Sequence, residues 1–128
     1  MPIYQSGEDY LESILRLGEQ RGQVRSIDVV ADLGYSKPSV SVAMKKLRQS
    51  GHIRVDEGGF IALTDLGREV AMRTWERHRT LKEFFVRLGV DPEVAEHDAC
   101  KVEHDLSDET FEKLLQHAKG ELELTPAT

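Results

Sequence analysis

The chain has 128 residues and a formal net charge of −6, a size that allows one ordinary domain or a small domain with an appended oligomerisation segment. It has no apolar run near the ~20 residues of a membrane span and no secretory signal, so we expect a cytoplasmic protein without a membrane partner. A single cysteine excludes an intramolecular disulfide.

The charge is distributed unevenly along the chain. Residues 33–55 carry five basic side chains and no acidic one, whereas residues 91–128 carry eleven acidic side chains against three lysines. An acidic average can hide a local basic surface. The net charge therefore does not exclude nucleic acid, and the pattern indicates two different functions in one chain.

Three helices are predicted first, each begun by a serine in a capping position and ended near a glycine. They cover about residues 6–21, 26–33 and 37–50, with Ser6, Ser26 and Ser36 as the caps. Gly34 ends the second helix, and Pro38 fits the first turn of the third. Two helices joined by so short a turn, the second of them basic, predict a helix-turn-helix.

Two short alternating segments, residues 52–56 and 60–63, follow with Gly58 and Gly59 between them, which predicts a hairpin, or wing. Thr64 then caps a long helix to about Leu88. Two further helices are predicted, from Asp91 to about residue 105 and from Ser107 to about residue 119.

The predicted fold is mostly α with a small β-wing. A winged helix-turn-helix domain occupies residues 1–70, and an all-α domain occupies residues 71–128.

The third helix is the candidate DNA-binding element. Its N-terminus favours phosphate, and small polar side chains with lysine suit the major groove. Later basic residues are expected to contact phosphates rather than bases. The candidates are Ser36, Lys37, Pro38, Ser39, Ser41, Lys45, Lys46, Arg48 and Arg54. The alternative is a winged helix used only for contact with another protein.

Three clusters offer metal-ligand chemistry. Cys100, Glu103 and His104 have the i, i+3, i+4 spacing of neighbours on one helix face, Asp9 and Glu12 form an i, i+3 pair, and His78 lies on the apolar stripe of the long helix. Alone, each pattern is also typical of a solvated face or of a hydrogen-bonded core histidine. Together they would supply enough ligands for one or two divalent ions.

The order of these motifs resembles the DtxR/MntR family of metal-dependent transcriptional repressors. The resemblance covers about residues 8–115 and is carried by SGEDYLESI, YSKPSVSVAMKKL, GFIALTDLG, ERHRTLKEFF and HDACKVEHDLSDE. It implies a homodimer that joins winged-helix domains through the helical domain and binds a palindromic double-stranded operator. It also implies metal ligands at Asp9, Glu12, His78, Cys100, Glu103 and His104.

The resemblance leaves the metal open between Fe(II) and Mn(II). Asp9 and Glu12 match the manganese branch, but a cysteine at position 100 matches the iron branch, and Lys82 stands where the iron branch has an ancillary carboxylate. Zn(II) or Co(II) would substitute in vitro.

Other functions remain as alternatives. A winged-helix regulator could respond to an organic ligand or a protein instead of a metal. A hydrolase, and hence an enzyme, is not expected because no general base or substrate pocket is indicated. A redox switch at Cys100 is disfavoured, since the neighbouring carboxylates oppose formation of a thiolate.

Overall fold

The computed structural model describes the backbone of residues 5–124 and the side chains of residues 7–117. The chain divides into two compact units, one through Thr74 and the other from Trp75. This division falls inside a helix, four residues beyond the boundary that we expected at 70/71. Each unit is described by itself.

The first unit contains a helix-turn-helix and a hairpin. Its elements are α1 (Gln5–Arg21), α2 (Ser26–Leu33), α3 (Lys37–Gln49), β1 (Ile53–Val55) and β2 (Ile61–Leu63). The predicted mostly helical fold with a small wing is confirmed. Because α1 begins at Gln5, Ser6 lies within the helix and does not cap it.

The turn between α2 and α3 is built by local capping. Gly34 has a φ of 73° and donates its N–H to the Val30 carbonyl at 2.9 Å, which ends α2. Ser36 begins α3 by accepting the Ser39 N–H at 3.2 Å.

The start of α2 differs from the prediction. Arg25, not Ser26, is the N-cap, and the Asp28 carboxylate accepts the Arg25 N–H at 2.9 Å. The cap was misplaced by one residue because a carboxylate in the first turn can satisfy the same backbone donor.

The wing is a two-stranded antiparallel hairpin that is tied back to the helices. Ile53 pairs with Leu63 and Val55 with Ile61, while Gly59 takes a φ of 83° in the turn. Ile61 also donates its N–H to the Val24 carbonyl at 2.7 Å, which joins β2 to the loop after α1.

The segment LTDLG joins the wing to the long helix α4 (Asp65–Arg87). Thr64 Oγ1 accepts the Gly67 N–H at 3.1 Å and donates to the Gly51 carbonyl at 2.6 Å. A Cβ on Gly67 would lie 1.9 Å from the His52 carbonyl oxygen, so only glycine fits there. Thr64 is confirmed as the cap.

Apolar side chains from all three helices and both strands form the core of this unit. Burying each large aliphatic side chain stabilises the fold by roughly 1.5–3 kcal/mol. The buried set includes Leu11, Ile14, Leu15, Val29, Val40, Met44, Leu47, Ile53 and Ile61.

The second unit contains the end of α4 together with α5 (Pro92–Val102) and α6 (Asp108–Leu124). Asp91 and Ser107 cap the latter two helices as predicted, accepting the Glu93 N–H at 3.0 Å and the Thr110 N–H at 3.1 Å. However, α5 ends three residues earlier than expected, and α6 extends five residues further.

Arg77 of α4 holds the turn between α5 and α6. It donates through Nη1 to the carbonyls of Glu103, at 3.2 Å, and Leu106, at 2.9 Å, and pairs through Nη2 with Asp108. Its guanidinium also lies over the Phe111 ring, 5.0 Å from the centroid. The turn is therefore fixed from the long helix.

The apolar stripe that we predicted on α4 is shorter than expected. Val70, Thr74, His78 and Leu81 are buried, but Leu66 and Leu88 at its two ends are exposed. None of the helices within residues 5–124 has the length and apolar character that a membrane crossing requires.

Candidate metal centre and nucleic-acid face

The exposed face of α3 carries the predicted DNA-binding residues. Buried Val40, Met44 and Leu47 anchor the helix, and every predicted DNA contact, including Arg54 on β1, is exposed. A face so free of acidic charge can approach phosphates without repulsion.

An open hollow of about 580 Å³ adjoins this face. Ser41, Lys45 and Arg48 of α3 line it together with Ser26 and Gln49. The last two residues were not predicted. Gln49 lies one position after Arg48, so helical spacing alone could have indicated it.

The metal-ligand candidates of the second unit come together at the junction of α4 and α5. Ligand atoms of His78, Cys100 and Glu103 all lie within 4.8 Å of one another. His78 is in the middle of α4, Cys100 is in the last turn of α5, and Glu103 is the residue that ends α5. Three of the predicted ligands are therefore brought together by two helices.

His78 and Glu103 form the buried part of this cluster. His78 Nδ1 lies 2.9 Å from Glu103 Oε2, and the two side chains are 5% and 1% exposed. Hydrogen bonds with Cys100 and Glu103 raise the pKa of His78 to about 10. Although burial would raise the pKa of Glu103, contacts with His104 and His78 lower it overall.

His104 also contacts Glu103, but not as we predicted. Its Nε2 lies 3.2 Å from Glu103 Oε1, and both side chains are almost fully buried. Both residues lie past the end of α5, so the expected polar helix face is in fact a buried turn. The reading of this cluster as a solvated face is wrong for Glu103 and His104 and holds only for Cys100, which is exposed.

The sequence analysis missed Glu96 at this centre. Its Oε1 lies 2.8 Å from His78 Nε2, and its Oε2 lies 2.9 Å from Lys82 Nζ. Partial burial would raise the pKa of Glu96, but Lys82 and His78 together lower it. The available signal was spacing, since Glu96 precedes Cys100 by one helical turn.

Asp9 and Glu12 lie on α1, one helical turn apart. Asp9 is half-buried, and Glu12 is buried at 8% exposure, contrary to the solvated face that we expected. Arg16 Nε lies 3.6 Å from Glu12 Oε1, and Arg16 Nη2 lies 2.8 Å from Asp32 Oδ2. The carboxylate of Glu12 is thus ordered by a neighbouring cation.

The residues of the second unit fit a divalent transition metal. Imidazole, thiolate and carboxylate are the donors that such ions take in proteins, and here they converge within the span of one coordination sphere. The buried carboxylate of Glu103 needs positive charge close by, which an ion could supply.

Comparison with known proteins agrees with this geometry. Residues 3–59 match the N-terminal DNA binding domain of the iron dependent repressors, and residues 64–120 match their metal binding and dimerisation domain. The manganese regulator MntR of Salmonella typhimurium is 37% identical over 108 residues, which are 84% of this chain and 69% of that protein. The chain belongs to the DtxR/MntR family.

Other family members extend the comparison. An uncharacterised helix-turn-helix regulator of Methanocaldococcus jannaschii is 38% identical over 112 residues, covering 86% of this chain and 90% of its own length. A manganese-dependent transcriptional repressor solved with manganese has a TM-score of 0.79 and 29% identity over 88% of this chain. That match covers 52% of the solved chain, so this sequence spans about half of its length.

Proposed function

We propose that this protein is a metal-dependent transcriptional repressor of metal-ion homeostasis that binds its operator when loaded with Mn(II) or Fe(II). The observation that carries the proposal is the convergence of His78, Cys100 and Glu103 within 4.8 Å. This convergence lies inside the segment that matches a metal binding and dimerisation domain.

The winged helix-turn-helix would be the DNA-binding part. We infer that α3 enters the major groove, with Ser36, Lys37 and Ser39 nearest the bases and Lys45 and Arg48 on phosphates. Pro38, Ser41, Lys46 and Arg54 remain proposed contacts of the same face. A role on DNA implies a cytoplasmic location and a regulatory rather than an enzymatic activity.

Four further side chains complete the proposed ligand inventory or compete for it. His104 contacts Glu103 directly and is proposed as a fourth donor of the second unit. Asp9 and Glu12 are proposed on their family motif and on the ligand chemistry of carboxylates. When bound, the ion would supply positive charge to these acidic side chains.

The link between metal and DNA would be a coupling free energy. In a homodimer, two α3 helices must match half-sites about one DNA turn, or roughly 34 Å, apart. An ion that favours the matching arrangement raises operator affinity by a coupling of typically ~1–3 kcal/mol. We therefore propose a palindromic operator in double-stranded DNA.

We favour Mn(II) as the physiological signal, with Fe(II) as the alternative. Two relatives carry manganese in their names or titles. Cys100 argues in the other direction, because a thiolate is softer than a carboxylate and improves binding of Fe(II), Co(II) and Zn(II). The protein should accept all four ions in vitro.

The experiment is an anaerobic anisotropy titration on DNA duplexes selected from a random library by the Mn(II)-loaded protein. We expect two-fold symmetric selected sites and an affinity at least about tenfold higher with Mn(II) or Fe(II) than with chelator. Glu103→Ala should abolish the difference, and Glu112→Ala, an exposed acidic site on α6, should preserve it. Equal affinity with metal and chelator would refute the proposal and favour a regulator that responds to another ligand.

A further inference from the structure

His78 carries a carboxylate on each of its two ring nitrogens. Glu103 Oε2 lies 2.9 Å from Nδ1, and Glu96 Oε1 lies 2.8 Å from Nε2. A histidine binds an ion through one nitrogen while the other donates its N–H to a neighbour. Because Glu103 is the candidate ligand, Nδ1 is the nitrogen that can share an ion with it, which leaves Nε2–H for Glu96.

Glu96 is itself held in place. Its second oxygen, Oε2, lies 2.9 Å from Lys82 Nζ. Lys82 follows His78 by four residues on α4, and Glu96 precedes Cys100 by four residues on α5, so each lies one helical turn from a candidate ligand. The pair Lys82–Glu96 therefore connects the two helices that carry His78 and Cys100.

We propose that Glu96, held by Lys82, is a positioning residue that accepts the Nε2–H of His78 and turns Nδ1 toward Cys100 and Glu103. This inference rests on the proposed metal-dependent function and concerns the same site. Carboxylates that orient a ligating histidine also increase its basicity as a donor, and losing them typically lowers metal affinity by about 10- to 100-fold.

A purely structural salt bridge would behave differently. Glu96 and Lys82 are 50% and 41% exposed, and pairs as exposed as this one contribute little to folding stability. A positioning role predicts a large loss of metal affinity with little change in the stability of the metal-free protein. A structural role predicts a small effect on both quantities.

The first test is an anaerobic Co(II) titration of the full chain, in which thiolate-to-cobalt absorption reports Cys100 and a competing chelator gives the Kd. Glu96→Ala should raise the Kd by about 10- to 100-fold while the absorption at saturation persists. Glu96→Gln, which keeps an acceptor oxygen, should fall between Glu96→Ala and the unaltered protein. Lys82→Met should have a smaller effect of the same sign, and Glu93→Ala, an exposed glutamate on the same helix, should have none.

The second test observes the histidine directly. In the Co(II)-loaded protein, the ring N–H of His78 should give a hyperfine-shifted proton resonance that exchanges slowly with water, and Glu96→Ala should accelerate that exchange. Thermal unfolding of the metal-free variants checks that the fold is retained.

The outcomes separate the two proposals. If the unaltered protein bound no Co(II), both the proposed function and this inference would be wrong. If it bound Co(II) and Glu96→Ala bound it equally well, with unchanged exchange of the ring proton, the inference alone would be wrong.

Discussion

Gly67 lies so close to His52 that a Cβ on the glycine would stand 1.9 Å from the histidine carbonyl oxygen. That oxygen already accepts the Thr64 N–H at 3.1 Å, and the same threonine caps α4. The start of the long helix and the first residue before β1 are therefore packed backbone to backbone.

This contact predicts a large cost for Gly67→Ala. The methyl group meets backbone rather than a flexible side chain, so α4 or the wing must shift, which should lower the free energy of unfolding by about 1–3 kcal/mol. Chemical denaturation of the metal-free protein measures the change. Gly18→Ala is the matched control, because its Cβ would have only an ordinary contact with Val24 at 3.9 Å. Equal stability of the two variants would contradict the prediction.

Arg77 should matter both for stability and for metal binding. Arg77→Met removes the donors to the carbonyls of Glu103 and Leu106, and a buried carbonyl left without a donor costs about 1–3 kcal/mol. Since Glu103 and His104 lie in that turn, Co(II) affinity should fall as well. Denaturation and metal titration of Arg79→Met, an exposed arginine on the same helix, provide the control. Unaltered Co(II) affinity in Arg77→Met would show that the turn holds without this side chain.

The same arginine explains what the sequence could and could not predict. The capping of α3 by Ser36 and of α4 by Thr64 is local, because each donor and acceptor lie three residues apart, and these features were predicted correctly. The end of α5 is decided by Arg77, 26 residues away from Glu103. No local pattern indicates such a contact, so α5 was predicted too long and the burial of Glu103 was missed.

The metal site divides in a similar way. His78, Cys100 and Glu103 were predictable as candidates because their residue types are ligand types at helical spacing. Glu96 was missed because its function depends on which nitrogen of His78 it faces, at 2.8 Å, and ring orientation is a property of the packed helices.

Cys100 should determine the preference among metals. Replacing the thiolate in Cys100→Asp supplies a hard oxygen donor at the same position, which favours Mn(II) over Co(II) and Zn(II) relative to the unaltered protein. We expect the ratio of Co(II) to Mn(II) affinity to fall by about tenfold or more, a difference of about 1.4 kcal/mol. Competition titrations with each ion measure the ratio, and Asp98→Asn, an exposed site on the same helix, is the control. A constant ratio would show that the sulfur does not reach the ion.

Lys45 should act on phosphates rather than on bases. It is exposed on α3 and lines the hollow beside Ser41 and Arg48. Lys45→Ala should weaken binding to operator and unrelated duplexes alike and reduce the slope of log affinity against log salt by about 0.9, the loss of one phosphate contact. Anisotropy titrations at several salt concentrations give the slope, and Lys113→Ala on α6 should leave it unchanged. If Lys45→Ala instead impaired binding to the operator alone, with the salt slope intact, Lys45 would be a base-reading residue, and α3 would lie in the groove with its C-terminal half against the bases.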